Sequence, residues 1–351
     1  MGYIYTKSGK LAKRLYFGAV LLFEGLYYTF KNRVLADGGT FVENELPTIS
    51  QDASLVLTPN AYKAGKLYSA VPNDGTGDFT VDRNCPATYV DEDGLIKTAL
   101  ANVPRIIYST GDAALLVEPQ STNLVLNSNP QTYGGSTNIT ISNDTILGQL
   151  ALRVINNSSS VNRASSASDR VETPTLNISL LVNDYITYSF SIINNNIEGS
   201  IIDIWLFGVS PNSFRTQISY DFVNDVVLNP ILTNVSELFT KSVLINGVYI
   251  VYFSIKSLVD STISSMNFTP YNAGGDFTFG LPQIELGSSP TSYIPTAGVT
   301  ETRLADNITV PTPAGVTSIT KTIDGVEQAP ITTIPATYSL PVGNINKVTM
   351  L

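Results

Sequence analysis

The stretch "ITYSFSI" (residues 186–192) decides the fold of this chain. Its apolar residues Ile, Tyr, Phe and Ile occupy every second position, and Thr, Ser and Ser stand between them. Side chains of a β-strand alternate between two faces, so this order predicts a strand with an apolar face turned to a core and a polar face turned away.

The sequence on both sides predicts further strands. β-Branched and aromatic residues are grouped in short runs, and the residues between the runs favour turns. The clearest runs are "IIDIWLF" (201–207), "QISYDF" (217–222), "GVYIVYFSIK" (247–256) and "FTFGL" (277–281). No internal repeat of about 20–50 residues connects them, which argues against a propeller or a β-helix. The set predicts an all-β protein whose main domain is an antiparallel sandwich of two sheets, of the jelly-roll type.

Proline and glycine end this series of strands. In "PQIELGSSPTSYIPTAG" (282–298), Pro282 fits a strand edge or a bulge, and the prolines and glycines after it lead the chain out of the sheet. We therefore predict a domain boundary here. The predicted segments are an N-terminal anchor or connector (1–50), a hairpin-rich connector (51–119), the sandwich (120–297), and a linker with a small C-terminal β unit (298–351).

Two Asp-Gly pairs predict tight turns. "DEDG" (91–94) lies between the strand-forming runs "ATYV" and "LIKTA", and Asp324 and Gly325 lie between two further strands. Asp-Gly favours the positive φ angles of hairpin turns. Asp91 and Asp93 leave a calcium site as the alternative, although the EF-hand spacing is absent. No metal site is predicted.

The composition removes several classes of chemistry. The chain of 351 residues has no histidine and a single cysteine, Cys85, so it cannot use a histidine base, a Cys-His pair or an intrachain disulfide. Its net charge is −9, and charged residues make up only 14%. An acidic chain without basic clusters is a poor binder of nucleic acid. We predict a protein without a cofactor and without an enzymatic function.

The N-terminal segment contains an apolar run, "KLAKRLYFGAVLLFEGLYYTFKNR" (10–33). The run is shorter than the about 20 residues of a membrane helix, and Glu24 interrupts it, so we predict no membrane span. An apolar segment that no other part of the chain covers needs a partner protein. The segment is interpreted either as an assembly anchor or as ordinary core.

Three residues are candidates for ligand binding. Asp203 and Trp205 are two positions apart on one predicted strand, so both side chains point to the same face. A sugar site stacks an aromatic ring on the sugar and uses Asp or Asn to bind its hydroxyl groups. Tyr271 stands among turn-forming residues and is the third candidate. The alternatives are that Trp205 fills the core of the sandwich and that Tyr271 belongs to a structural turn.

Several stretches together resemble a recurrent set of phage and prophage structural proteins that carry a lectin-like or carbohydrate-binding-module-like jelly roll. The resemblance covers roughly residues 32–351. It is carried by "NRVLADGGTFVENE" (32–45), "GDFTVDRNCPATYVDEDGLIKTALANVPRI" (77–106), "LLVEPQSTNLVLNS" (115–128), "GLPQIELGSSPTSYIPTAGVTETRLAD" (280–306) and "GNINKVTML" (343–351). Cys85 departs from the small polar residue that the family often has at this position.

The resemblance implies a component of the virion, such as a head or tail fibre, located on the exposed surface of the particle. We further expect contacts with other virion proteins through the N-terminal region and a homo-oligomer, with host-surface glycans as a candidate partner. It brings no catalytic residues. Glu118, Glu285, Tyr293 and Arg303 carry over as structural positions. We expect either a Glu118–Arg303 bridge or hydrogen bonds from turn amides to Glu285.

Two alternatives to glycan attachment remain open. A phage-borne polysaccharide depolymerase needs only two carboxylates and no histidine, although sequence spacing singles out no pair. A purely architectural decoration protein would bind no ligand. If the sandwich does bind a glycan, one aromatic contact predicts weak binding by a single domain and adhesion only by clustered copies.

Overall fold

The computed structural model describes residues 53–58, 67–69, 80–108, 113–159, 170–172 and 176–351. The predicted N-terminal anchor (1–50) and its apolar run (10–33) lie outside these residues. Within the described part of the chain, no helix is long and apolar enough to cross a lipid bilayer.

β-Strands dominate the described residues, with two short 3₁₀ turns at Pro130–Thr132 and Ile197–Ser200. The first strands along the chain are β1 (Leu55–Thr58), β2 (Leu67–Ser69), β3 (Thr80–Asp82), β4 (Ala87–Val90), β5 (Ile96–Ala99), β6 (Arg105–Ile107), β7 (Ala114–Val117) and β8 (Ser121–Asn123). The central strands are β9 (Gly134–Gly135), β10 (Ile139–Ile146), β11 (Gln149–Asn156), β12 (Val171–Glu172), β13 (Ile178–Leu180), β14 (Tyr185–Asn194), β15 (Ile201–Pro211), β16 (Phe214–Asp221), β17 (Val226–Thr233), β18 (Val235–Ile245), β19 (Val248–Ser257), β20 (Ser261–Pro270) and β21 (Asp276–Leu286). The last strands are β22 (Glu301–Arg303), β23 (Asn307–Pro311), β24 (Ile319–Ile323), β25 (Val326–Glu327), β26 (Thr337–Ser339) and β27 (Gly343–Met350).

The chain forms two compact units, each built from segments that are far apart in sequence. Unit 1 combines the described residues up to Asn84 with Ala101–Pro119 and Asp306–Leu351, and unit 2 combines Cys85–Leu100 with Gln120–Ala305. The sequence predicted consecutive segments instead. The C-terminal segment shares a sheet with earlier strands, because β27 pairs with β1 and β7 as well as with β24.

Unit 2 contains the sandwich, which confirms the predicted all-β class. One sheet has six strands in the order β10-β11-β21-β14-β19-β18, and the other has the order β17-β16-β15-β20-β12-β9, with β13 beside β20. All of these pairs are antiparallel. The core lies between the sheets, where Phe268 of β20 stacks on Phe279 of β21 with ring centroids 3.9 Å apart.

The deciding stretch lies within β14, a central strand of the six-stranded sheet. Its apolar residues face the core, as predicted. Its polar residues Thr187, Ser189 and Ser191 are also buried, which the alternation did not predict. On this side of the sheet, Thr187 donates a hydrogen bond of 2.7 Å to the carbonyl of Gly287, and Ile193 of β14 belongs to a second apolar cluster with Ile96 of the β4–β5 hairpin and Tyr293. The polar face of β14 therefore lies beneath this outer layer.

The predicted turns are confirmed. β4 and β5 form the hairpin around "DEDG", where Gly94 has φ +76°. The carboxylate of Asp91 accepts hydrogen bonds from the backbone N–H groups of Asp93 and Leu95, at 3.0 and 2.9 Å. At the second Asp-Gly pair, Asp324 and Gly325 have φ +52° and +76° between β24 and β25.

Candidate functional site

The candidate site lies on the outer face of the sandwich sheet that contains β15, β16 and β20. Along β15, Ile202, Ile204 and Leu206 point into the core between the sheets. Because side chains alternate along a strand, Asp203 and Trp205 point to the opposite face. Trp205 is partly exposed and does not belong to the core cluster. The interpretation that Trp205 fills the core is therefore wrong, because its strand presents the neighbouring residues to the core.

The sheet places polar side chains on both sides of Trp205. In the register of the strands, Trp205 is opposite Gln217 of β16 and Asn267 of β20. Phe207 follows two positions later, and its ring lies 5.2 Å from the Trp205 ring between centroids. Gln217 and Asn267 are themselves buried, at 1% and 5% exposed, whereas the rings of Trp205 and Phe207 are partly exposed. The accessible part of this face is therefore aromatic, and an aromatic ring is a surface on which a sugar can stack.

Asp203 lies deeper on the same face. It is fully buried, and it accepts hydrogen bonds from Ser219 Oγ at 2.7 Å and from Gln217 Nε2 at 3.3 Å. These contacts hold its carboxylate beside Gln217. In this position Asp203 orients the amide that stands opposite Trp205.

Arg215 completes this face, and sequence reasoning missed it. Its guanidinium carbon is 6.0 Å from the centroid of the Trp205 ring, and its Nη2 donates a hydrogen bond of 2.6 Å to Gln217 Oε1. The signal was present in "FRTQIS", where Arg215 and Gln217 occupy alternate positions while Phe214 and Ile218 face the core. We call the set Asp203, Trp205, Phe207, Arg215, Gln217 and Asn267 the Trp205 face.

Tyr271 does not join this set. It follows β20 and donates its backbone N–H to the carbonyl of Ile201, at the start of β15, with a distance of 2.9 Å. Trp205 is four positions after Ile201 along β15, which corresponds to about 13 Å. Tyr271 thus lies near one end of the strand that carries Trp205.

Glu285 is the centre of a buried polar cluster at the end of β21. The residue is 1% exposed, and its Oε1 accepts hydrogen bonds from the hydroxyl groups of Ser121 and Thr291, both at 2.5 Å. Its Oε2 accepts from Gln283 Nε2 at 2.7 Å and from the backbone N–H of Thr291 at 2.9 Å. Four donors therefore use both carboxylate oxygens, which fixes the path of the chain after β21.

Tyr293 and Arg303 lie in the same unit. The hydroxyl group of Tyr293 is 2.7 Å from Ser128 Oγ, and burial raises the pKa of Tyr293. Arg303 is buried and donates a hydrogen bond of 3.2 Å from Nη1 to the carbonyl of Leu304. Both residues line a small cavity of about 80 Å³ beside the β4–β5 hairpin. These contacts tie the segment after β21 to the rest of unit 2.

Glu118 belongs to a buried ion cluster in unit 1. Its Oε2 is 2.8 Å from Arg105 Nη1, and its backbone N–H donates to Asp306 Oδ2 at 2.9 Å. Asp306 also binds Arg105 Nη2 and, at 2.8 Å, Arg83 Nη1. Two acids and two arginines from separate segments thus compensate each other in the interior. The proposed Glu118–Arg303 bridge stays a prediction, because the two residues belong to different units.

No protein-family model matches the chain, and no curated protein sequence matches it.

Proposed function

We propose that this protein is a non-enzymatic structural component of a phage particle that presents its sandwich for attachment to host-surface glycans. The observation that carries the glycan part is the position of Trp205, which lies on the outer face of a sheet between Gln217 and Asn267. The sequence stretches that resemble phage and prophage structural proteins support the virion part.

The Trp205 face suits weak, repeated contacts. One aromatic stack adds about 0.5–1.5 kcal/mol beyond the burial of area, so a single site is expected to bind with millimolar affinity, about −4.1 kcal/mol. Many copies on one particle would raise the avidity by about 10²–10⁴ where the geometry allows simultaneous contacts. Attachment then depends on how many copies of the site one particle presents, which agrees with a homo-oligomeric fibre or appendage.

The virion part is tested on purified particles. Mass spectrometry of purified phage particles should detect the chain, and immunogold labelling should place it on the head or the tail. Its absence from particles that still infect the host would contradict the virion role.

The depolymerase alternative makes a different prediction. An enzyme would release oligosaccharides with new reducing ends from host polysaccharide, and a carboxylate-to-amide substitution at its catalytic acid would abolish the release. We expect the purified protein to release none. A purely architectural protein would neither bind nor cleave the polysaccharide.

A further inference from the structure

Arg215 carries a positive charge on the Trp205 face without an acidic partner. Within the residues that the structure describes, no carboxylate lies at ion-pair distance from its guanidinium group. Its Nη2 donates to the neutral Gln217 Oε1, whereas its Nε is buried and has no acceptor in the described part of the chain. A partly buried guanidinium group that lacks a carboxylate has unused capacity for an anion.

Trp205 supplies a second unused donor on the same face. Its Nε1 is buried, and none of the described residues accepts a hydrogen bond from it. Buried donors without an acceptor are rare, because each one loses its bond to water. The two donors, Arg215 Nε and Trp205 Nε1, are on neighbouring side chains, since the guanidinium carbon lies 6.0 Å from the centroid of the Trp205 ring. We therefore expect a hydrogen-bond acceptor to bind at this place.

From this arrangement we infer that the Trp205 face binds an acidic sugar, one that carries a carboxylate on its ring. Arg215 pairs with the carboxylate through its planar guanidinium group, and Trp205 packs against the sugar ring. A neutral sugar would leave the charge of Arg215 without a partner. This inference rests on the proposed glycan attachment and names the class of glycan.

The negative net charge of the chain excludes general electrostatic attraction as a reason for binding acidic glycans. At −9, the protein as a whole repels a polyanion, so non-specific attraction does not favour acidic glycans. Retention on an acidic polysaccharide would then require a local cationic site. Arg215 is a site of this kind on the proposed binding face.

The test uses the full chain, clustered on beads, with two matched polysaccharides. Polygalacturonate carries a carboxylate on each sugar, and its fully methyl-esterified form has the same sugars without the charge. We expect retention on polygalacturonate and at least about tenfold weaker retention on the ester. Arg215→Gln should weaken binding to polygalacturonate by about tenfold or more, because a charge-assisted contact is lost. Lys97→Gln is the matched control, since this lysine is half exposed on the β4–β5 hairpin.

The outcomes separate this inference from the proposed function. Equal retention on both polysaccharides would leave glycan attachment standing and overturn the acidic class. Retention on neither would overturn the acidic class, while adhesion of the same clustered protein to host-surface polysaccharide tests the proposed attachment independently. Unchanged binding by Arg215→Gln would also overturn the inference. If Arg215→Gln does not fold, Arg215→Lys keeps the charge but loses the planar fork, and a loss of polygalacturonate binding by the folded Lys variant supports the role of Arg215.

Discussion

At the scale of single residues, buried carboxylates of unit 2 organise the chain through hydrogen bonds. Glu285 is the clearest case, because four donors converge on it from three different residues. Period-two alternation placed Asp203 and Trp205 on one face. Alternation could not place Arg215 beside Trp205, because that contact depends on the register between β15 and β16. Register between strands follows from tertiary packing, which a single sequence does not display.

Glu285→Gln tests the polar cluster. The substitution keeps the shape but replaces one acceptor oxygen by an NH₂ group that faces donors. We expect a loss of about 1–3 kcal/mol in the free energy of unfolding, because buried hydrogen bonds to a charged group are lost. Chemical denaturation measures this change, and Glu301→Gln at an exposed position of β22 is the control. Equal stability of the two variants would show that the cluster does not hold the segment after β21.

Asp276 gives a prediction for pH. Arg153 Nη2 lies 2.5 Å from Asp276 Oδ2, and this hydrogen bond lowers the pKa of Asp276. Because the pKa is lower in the folded state, the stabilisation is present above the ordinary carboxyl pKa of about 3.9 and is lost as the pH falls through the folded value. Asp276→Asn should therefore have a lower melting temperature than the parent at pH 7, and the difference should shrink below about pH 4.

Thermal denaturation between pH 7 and pH 2.5 measures this difference. Glu327→Gln, at an exposed position of β25, controls for the loss of one negative charge. A difference for Asp276→Asn that stays constant down to pH 2.5 would contradict the role of the Arg153 pair.

At the scale of elements, β14 and β21 show which structural features local sequence patterns predict and which they do not. The position of both strands followed from alternation, and Pro282 indicated a bulge. The pairing indeed shifts here, since Ser189 is opposite Gln283 whereas Ser191 is opposite Gly280. Burial of the polar face of β14 could not be predicted, because the covering hairpin β4–β5 comes from a distant segment. Local patterns do not report such long-range contacts.

Gly280→Ala tests the packing on the outer side of β21. A Cβ at Gly280 would lie 2.3 Å from Ile146 Cγ2 and 3.4 Å from Ala151 Cβ, so the second apolar cluster would have to move. We expect a loss of about 1–3 kcal/mol in stability from overpacking. Gly134→Ala is the matched control, because its added Cβ meets no atom within 4 Å. Equal midpoints in urea for the two variants would contradict this account of the outer cluster.

At the scale of the whole molecule, each of the two units combines segments that are separated in sequence. A division of the chain into consecutive segments therefore does not correspond to these units. In unit 1, Arg83, Arg105, Glu118 and Asp306 meet although they come from three different segments. No sequence pattern predicted this cluster, since each charged residue resembles an ordinary surface residue until the strands are paired. Asp306 is its centre, because it binds both arginines.

Asp306→Asn tests this cluster. The substitution removes the charge that two buried guanidinium groups share, so we expect a loss of about 3–5 kcal/mol in the stability of unit 1. Asp324→Asn is the control in the same unit, because asparagine tolerates the positive φ of that turn. Denaturation followed by circular dichroism compares the two variants. A loss no larger than that of Asp324→Asn would show that the cluster contributes little.

The central claim is that the protein attaches to glycans through the Trp205 face without cleaving them. The most direct measurement compares clustered parent protein and clustered Trp205→Ala for adhesion to polysaccharide from the host surface, with reducing ends assayed in the same samples. Because Trp205 is only partly buried, the variant should stay folded, with a loss of about 1–2 kcal/mol. The exposed ring of Phe239, removed in Phe239→Ala, is the control away from this face. We predict that the parent and Phe239→Ala adhere, that folded Trp205→Ala does not, and that no reducing ends appear. A folded and fully adherent Trp205→Ala, or the release of reducing ends by the parent, would contradict the claim.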